Sequence, residues 1–117
     1  VVGGRSESLA HDPAYREFFD IVVSRALARM DTMVELMLPF CRKGGVAVAY
    51  KGRRAGPELT AAKGAIAATG GGEARVFEVT DATGVEDSGA RLVVIPKTDP
   101  TPERYPRREG IPGKRPL

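Results

Sequence analysis

Between residues 20 and 69 the chain spells strand, helix, strand, helix, and that order constrains its fold more than any other feature. Asp20-Ile21-Val22-Val23-Ser24 is a β-branched run without apolar–polar alternation, as expected of a strand covered on both faces. Met30, Met33, Val34, Met37, Leu38 and Cys41 then recur at i, i+3, i+4, i+7, i+8 and i+11, which is one stripe of a helix. Asp31 suits the N-cap of that helix, and Arg42, Lys43 and Gly44 suit its C-terminal end, with Pro39 bending the last turn. Val46-Ala47-Val48-Ala49-Tyr50-Lys51 predicts a second strand, and the Ala-rich stretch from Glu58 to about Thr69 a second helix. Connections this short make the two strands parallel neighbours joined by a right-handed crossover.

Two further strands are predicted at Arg75–Thr80 and Arg91–Lys97, on either side of a loop containing Gly84 and Gly89. They lie too close in sequence for a helical crossover, so they form an antiparallel pair. Residues 1–19 read as a strand remnant (Val1-Val2), a polar loop and a short helical stretch around Tyr15–Phe19. The sum is half of a doubly wound α/β sheet, with neighbours missing on its N-terminal side. A chain of 117 residues holds one core at most. Its start at Val-Val-Gly-Gly, without Met, reads as a piece of something longer.

Charge divides unevenly along the chain. Residues 1–95 carry twelve basic and twelve acidic side chains, whereas residues 96–117 carry six basic against three acidic ones and so hold the whole excess of +3. The same 22 residues contain six of the nine prolines, which exclude a long helix or a central strand. The expected organisation is a partial α/β domain over 1–97 and a basic, Pro-rich tail over 98–117, either a solvated terminus or an arm that contacts nucleic acid. The single thiol, Cys41, excludes an intramolecular disulfide and a Cys-based zinc cluster, and its place on the apolar stripe makes it buried and inert. No apolar run approaches the ~20 residues of a membrane span, and the expected location is cytoplasmic.

In open α/β sheets ligands sit beyond the carboxyl ends of the parallel strands. Three places qualify: Gly3–Leu9, Ser24-Arg25-Ala26 and Lys51-Gly52-Arg53-Arg54. Arg25, beside a Val-rich strand, needs a partner, which is either a ligand carboxylate or phosphate or an internal acid such as Glu7 or Asp31. Lys51, Arg53 and Arg54 follow Arg42 and Lys43 with no acid between, as a phosphate backbone contact or a solvated loop would have it. No Ser, His and acid arrangement and no metal-ligand spacing stands out, and His11 lies alone in a polar loop.

Asp20-Ile21-Val22-Val23-Ser24-Arg25-Ala26, then Leu36-Met37-Leu38-Pro39-Phe40-Cys41-Arg42-Lys43-Gly44-Gly45, then Ala49-Tyr50-Lys51-Gly52 resemble the C-terminal half of the glucose-inhibited division protein B family. The tail Tyr105-Pro106-Arg107-Arg108-Glu109-Gly110-Ile111-Pro112-Gly113-Lys114-Arg115-Pro116-Leu117 is similar to that family's closing motif. The members are bacterial small-subunit ribosomal RNA guanine-N7 methyltransferases. The resemblance implies a Rossmann-like methyltransferase fold, S-adenosylmethionine as cofactor, and ribosomal RNA or the small ribosomal subunit as partner. It also implies cofactor contacts at Ser6, Glu7 and Arg25, with Ser6 standing where the family usually has Ala. RNA contacts are expected at Lys51, Arg53, Arg54, Arg107, Arg108, Lys114 and Arg115. The family's Gly-rich cofactor loop would lie upstream of Val1, so the chain alone is expected to be inactive. The whole enzyme is expected to be monomeric, and the piece to self-associate through its open sheet edge. The alternative reading is a non-catalytic RNA- or ribosome-binding module.

Overall fold

A computed structural model describes residues 10–25, 29–52, 55–80, 87–107, 111–114 and 117. Its centre is a four-stranded sheet of β1 (Phe19–Arg25), β2 (Cys41–Lys51), β3 (Arg75–Thr80) and β4 (Asp87–Pro96), in spatial order β1-β2-β4-β3. β1 and β2 are parallel, in register from Ile21 opposite Val46 to Arg25 opposite Tyr50, while β4 runs antiparallel between β2 and β3. The parallel pair and the closing antiparallel hairpin are the architecture that the sequence pattern predicts.

The helices α1 (Met30–Met37), α2 (Ala55–Ala61) and α3 (Lys63–Ala68) enclose one face of the sheet. There Met30, Met33, Val34, Met37, Leu38, Ala65 and Ile66 pack on Ala47, Ala49, Val93 and Ile95, all of them buried. Full burial of a Leu- or Ile-sized side chain contributes about 1.5–3 kcal/mol, so this layer carries most of the stability. Among the described residues no helix covers the opposite face. By register it includes Ile21, Val23 and Arg25 of β1, Val46, Val48 and Tyr50 of β2, Leu92 and Val94 of β4, and Arg75 and Phe77 of β3. Val23 is 71% exposed and Ile21 62% exposed. The expectation that the strand at 20–24 is covered on both faces therefore fails among the described residues, because every long helix lies on one side.

Several local expectations are corrected. The first helix stops at Met37, and Leu38–Phe40 form a 3-10 turn around Pro39, whose missing N–H and ring forbid another α-turn. Cys41 thus opens β2 instead of closing the helix stripe, although it is still buried. Arg42, Lys43 and Gly44 belong to a bulge at the start of β2: Phe19 pairs with Cys41 but Ile21 with Val46. Gly44 has φ +91°, and a Cβ on Gly45 would strike the Asp20 carbonyl, which explains the glycine pair. Arg29, not Asp31, is the N-cap of α1, without a side-chain cap bond. The second helical segment starts at Ala55 and breaks at Ala62. Residues 10–17 form turns, not a helix, and Phe19 is already in β1. β4 starts at Asp87 and takes in Gly89, while Lys97 makes only an isolated bridge to Gly71. Val1-Val2 and Gly84 lie outside the described residues.

The tail is not a free extension where it is described. Thr101, Tyr105, Pro106 and Pro112 are buried, residues 111–114 form the short helix α4 (Ile111–Lys114), and Leu117 packs against the core. Gly70, at φ +94°, makes room at its start: its carbonyl accepts from Thr98 N (3.0 Å) and Asp99 N (3.1 Å), and a Cβ there would meet the Asp99 carbonyl.

Candidate functional site

The carboxyl ends of β1 and β2 and the first turn of α1 converge on one edge of the sheet. A cleft of about 280 Å³ opens there, lined by Arg29, Met30, Asp31, Pro57, Glu58 and Ala61. Arg25 closes β1 on the bare face and is exposed. Among the described residues no carboxylate pairs with it. Asp31, one of its two internal candidates, is taken: Oδ2 accepts from Arg29 at 2.8 Å and Oδ1 from Thr32 N at 2.8 Å. The other candidate, Glu7, lies outside the described residues, as does Ser6. The desolvation argument for a partner at Arg25 lapses, since an exposed guanidinium stays hydrated.

Two cations expected at the RNA interface are drawn inward. Lys51 points to the helix-covered face, its side chain 6% exposed, with Nζ 2.8 Å from Glu58 Oε1. Arg107 forms a fork on Glu35: Nη2 donates to Oε1 at 2.8 Å and Nε to Oε2 at 3.0 Å, while the Arg107 backbone N–H donates to Oε2 at 2.7 Å. These bonds hold the guanidinium pKa above its ordinary value. Arg53, Arg54, Arg108 and Arg115 lie outside the described residues; Lys114 ends α4.

Sequence reasoning passed over the groups that fasten the tail. Glu35 is fully buried, and Thr32 and Asp31 are buried beside it, so α1 is covered on its polar side as well as its apolar stripe. One signal was legible: positions 31, 32, 38 and 39 are Asp, Thr, Leu and Pro, leaving Glu35 no basic neighbour three or four residues away and hence a need for a distant one. Arg16 spends its fork on carbonyls, Nη1 donating to Ala10 (3.0 Å) and Tyr105 (2.8 Å) and Nη2 to Thr101 (3.1 Å) and Pro102 (2.9 Å). Glu17 Oε1 accepts from Thr101 N at 2.6 Å, and His11 Nε2 donates to Pro106 O at 2.6 Å. Lys97, counted with the basic tail, is wholly buried: Nζ donates to Leu38 O and Cys41 O, each at 2.7 Å, and stands 3.6 Å from Glu17 Oε1. Burial lowers its pKa, and burial likewise pushes the Cys41 thiol up, in keeping with an inert cysteine.

Solved structures with this sheet define the class. The 16S rRNA N2 methyltransferase of T. thermophilus, solved in complex with AdoMet and guanosine, superposes with a TM-score of 0.52 at 18% identity over 74% of this chain and 22% of its own. The CMeT domain of a citrinin polyketide synthase matches with a TM-score of 0.52 at 14% identity, over 76% of this chain and 30% of its own. At such identities the likeness is one of fold, that of a Rossmann-like methyltransferase.

Sequence comparison narrows it further. The family described as rRNA small subunit methyltransferase G matches residues 2–84, and the chain belongs to that family. It is 47% identical over 114 residues to Ribosomal RNA small subunit methyltransferase G of Moorella thermoacetica, and 46% identical over 117 residues to that of Deinococcus deserti. These alignments cover 97% and 99% of this chain but 47% of each relative, so the chain spans about half the length of the curated relatives it matches.

Proposed function

We propose that this chain is the C-terminal part of an enzyme that methylates the N7 of a guanine in small-subunit ribosomal RNA, with S-adenosylmethionine as donor. The observation that carries the reading is family membership, established over residues 2–84 and by relatives named Ribosomal RNA small subunit methyltransferase G. The edge described above fits one side of such a donor: Arg25 presents an exposed guanidinium at the carboxyl end of β1, suited to an anionic or carbonyl group. Ser6 and Glu7 would supply further contacts. When bound, the cofactor provides an electrophilic methyl, which a ring nitrogen with a free lone pair can take without a general base. The protein's task is then alignment, and its own residues bind and orient.

RNA phosphates would be held by Arg53, Arg54, Arg108, Lys114 and Arg115. Lys51 and Arg107 serve from within, Lys51 by bracing Glu58 at the base of the loop and Arg107 by fastening the tail. The remaining half of the domain would cover the bare sheet face and extend the edge at β1, leaving the whole enzyme a monomer. The chain by itself would pair through that edge.

The test is incubation of the full-length protein with small-subunit ribosomal RNA and methyl-labelled S-adenosylmethionine, followed by chemical cleavage at N7-methylguanine. One labelled guanine that cleaves is expected. Label elsewhere overturns the N7 assignment, and RNA binding without label favours the non-catalytic binding module.

A further inference from the structure

After β4 the chain turns back along α1, and its anchors on that helix and on its C-cap, Leu38, fall in sequence. Lys97 Nζ and Thr101 Oγ1 approach the Leu38 carbonyl at 2.7 and 3.5 Å, Arg107 holds Glu35, and Thr32 Oγ1 donates to Pro112 O at 3.1 Å. Leu38, Glu35 and Thr32 are three residues apart, one side of a helix, and the climb from 38 to 32 covers roughly 9 Å at 1.5 Å per residue. The direction matters. Leu38 lies at the amino edge of the parallel strands, beside Lys97 and Cys41, whereas Thr32 lies in the first turn of α1, beside the cleft at the carboxyl edge. The described tail is thus a strap that starts at the wrong edge for ligand binding and ends at the right one.

We infer that Glu35, through its fork with Arg107, is a positioning residue that seats α4 beside the ligand edge and thereby sets RNA affinity. This rests on the proposed function and goes beyond it by giving Arg107 an internal role and Glu35 a functional one. The middle anchor has most leverage. Glu35 accepts from both the side chain and the backbone of Arg107, so it fixes the chain direction at that residue as well as holding a charge. Lys114 is carried by α4, so its place relative to an RNA backbone depends on where α4 sits.

The test uses the full-length enzyme with Glu35→Gln and, as an uncharged second probe, Thr32→Val, which removes the hydroxyl that holds Pro112. For each, KM for ribosomal RNA, KM for S-adenosylmethionine, kcat at saturating RNA and the salt dependence of RNA binding are measured. The expected result is a KM for RNA raised about tenfold, a salt slope shallower by about 1 for each phosphate no longer neutralised, and unchanged cofactor KM and kcat. Arg107→Lys, which keeps the charge but not the fork, falls between wild type and Glu35→Gln. An unchanged RNA KM in Thr32→Val and in folded Glu35→Gln overturns the inference, and so does a parallel rise in both KM values, which marks general damage. Wild-type enzyme that transfers no methyl to ribosomal RNA would fail the proposed function instead, and RNA dissociation constants of the same variants would still decide the role of Glu35.

Discussion

Both faces of the sheet are rich in apolar residues, and at their centres they differ sharply in environment. On one, Ala47, Ala49, Val93 and Ile95 lie under α1, α2 and α3 with no solvent exposure. On the other, Ile21, Val23, Tyr50 and Phe77 stand in the open. A contiguous exposed apolar face of this kind marks an interaction surface, and the relatives that this chain matches are about twice as long. The contrast also explains why the polar side of α1 is buried. The strap seals the covered layer from outside, so stability concentrates in that layer and its buried ionic anchors.

Equilibrium unfolding offers the strongest way to break the comparison. Arg107→Ala leaves the fully buried Glu35 carboxylate without its fork, and a loss of about 3–5 kcal/mol is expected. A loss under ~1 kcal/mol would mean that the tail contributes little to the covered layer. Leu38→Ala should cost about 2–5 kcal/mol by leaving a cavity beneath α1 and α3. On the bare face of the isolated chain, Val23→Ala should stay within about 0.5 kcal/mol, since the side chain it shortens is largely in solvent. Val23→Lys should in addition shift this chain toward monomer in sedimentation, and a large destabilisation from either change would show that the face is already covered.

Two smaller effects sharpen the picture of the interior. Cys41 is buried with a raised pKa, so alkylation of the folded protein at neutral pH should be slow and should follow unfolding; fast labelling would place the thiol at the surface. Lys97 has a folded pKa below the ordinary 10.5, chiefly from burial. The unfolded chain therefore holds more protons between the two values, and stability rises with pH through that window. At lower pH, where both states are protonated, the full desolvation penalty remains. Lys97→Met lacks this component, so the stability difference between wild type and variant should move in favour of wild type as pH climbs toward 10.5. Parallel pH profiles for the two proteins would remove Lys97 from the account.

The strand-helix-strand-helix order, the parallel pair at Ile21–Ser24 and Val46–Lys51, and the antiparallel close were all legible, because they follow from β-branched runs, a 3.6-residue stripe and connection length. Boundaries were less so. Pro39 reads as a bend within a helix, yet the chain there leaves the helix altogether, and the Leu38 and Cys41 carbonyls find their partner in Lys97, 56 residues or more downstream. At the site, the sequence pattern places Arg25 at the carboxyl end of a strand but carries no sign of its exposure, since exposure depends on what covers the other face. Lys51 and Arg107 read as surface cations because sequence shows charge and not its partner.

By itself, then, the sequence determined the class of sheet, the order of its elements and the basic, proline-broken character of the end. Periodicity and backbone chemistry are local, and they act before any distant contact forms. Only the tertiary structure decided which sheet face is covered, which cations are spent on Glu35 and Glu58, and that the tail climbs α1 from Leu38 to Thr32. Those outcomes depend on pairs such as Glu35 and Arg107, 72 residues apart, whose meeting is fixed by the packing of the whole layer and by no feature of either neighbourhood.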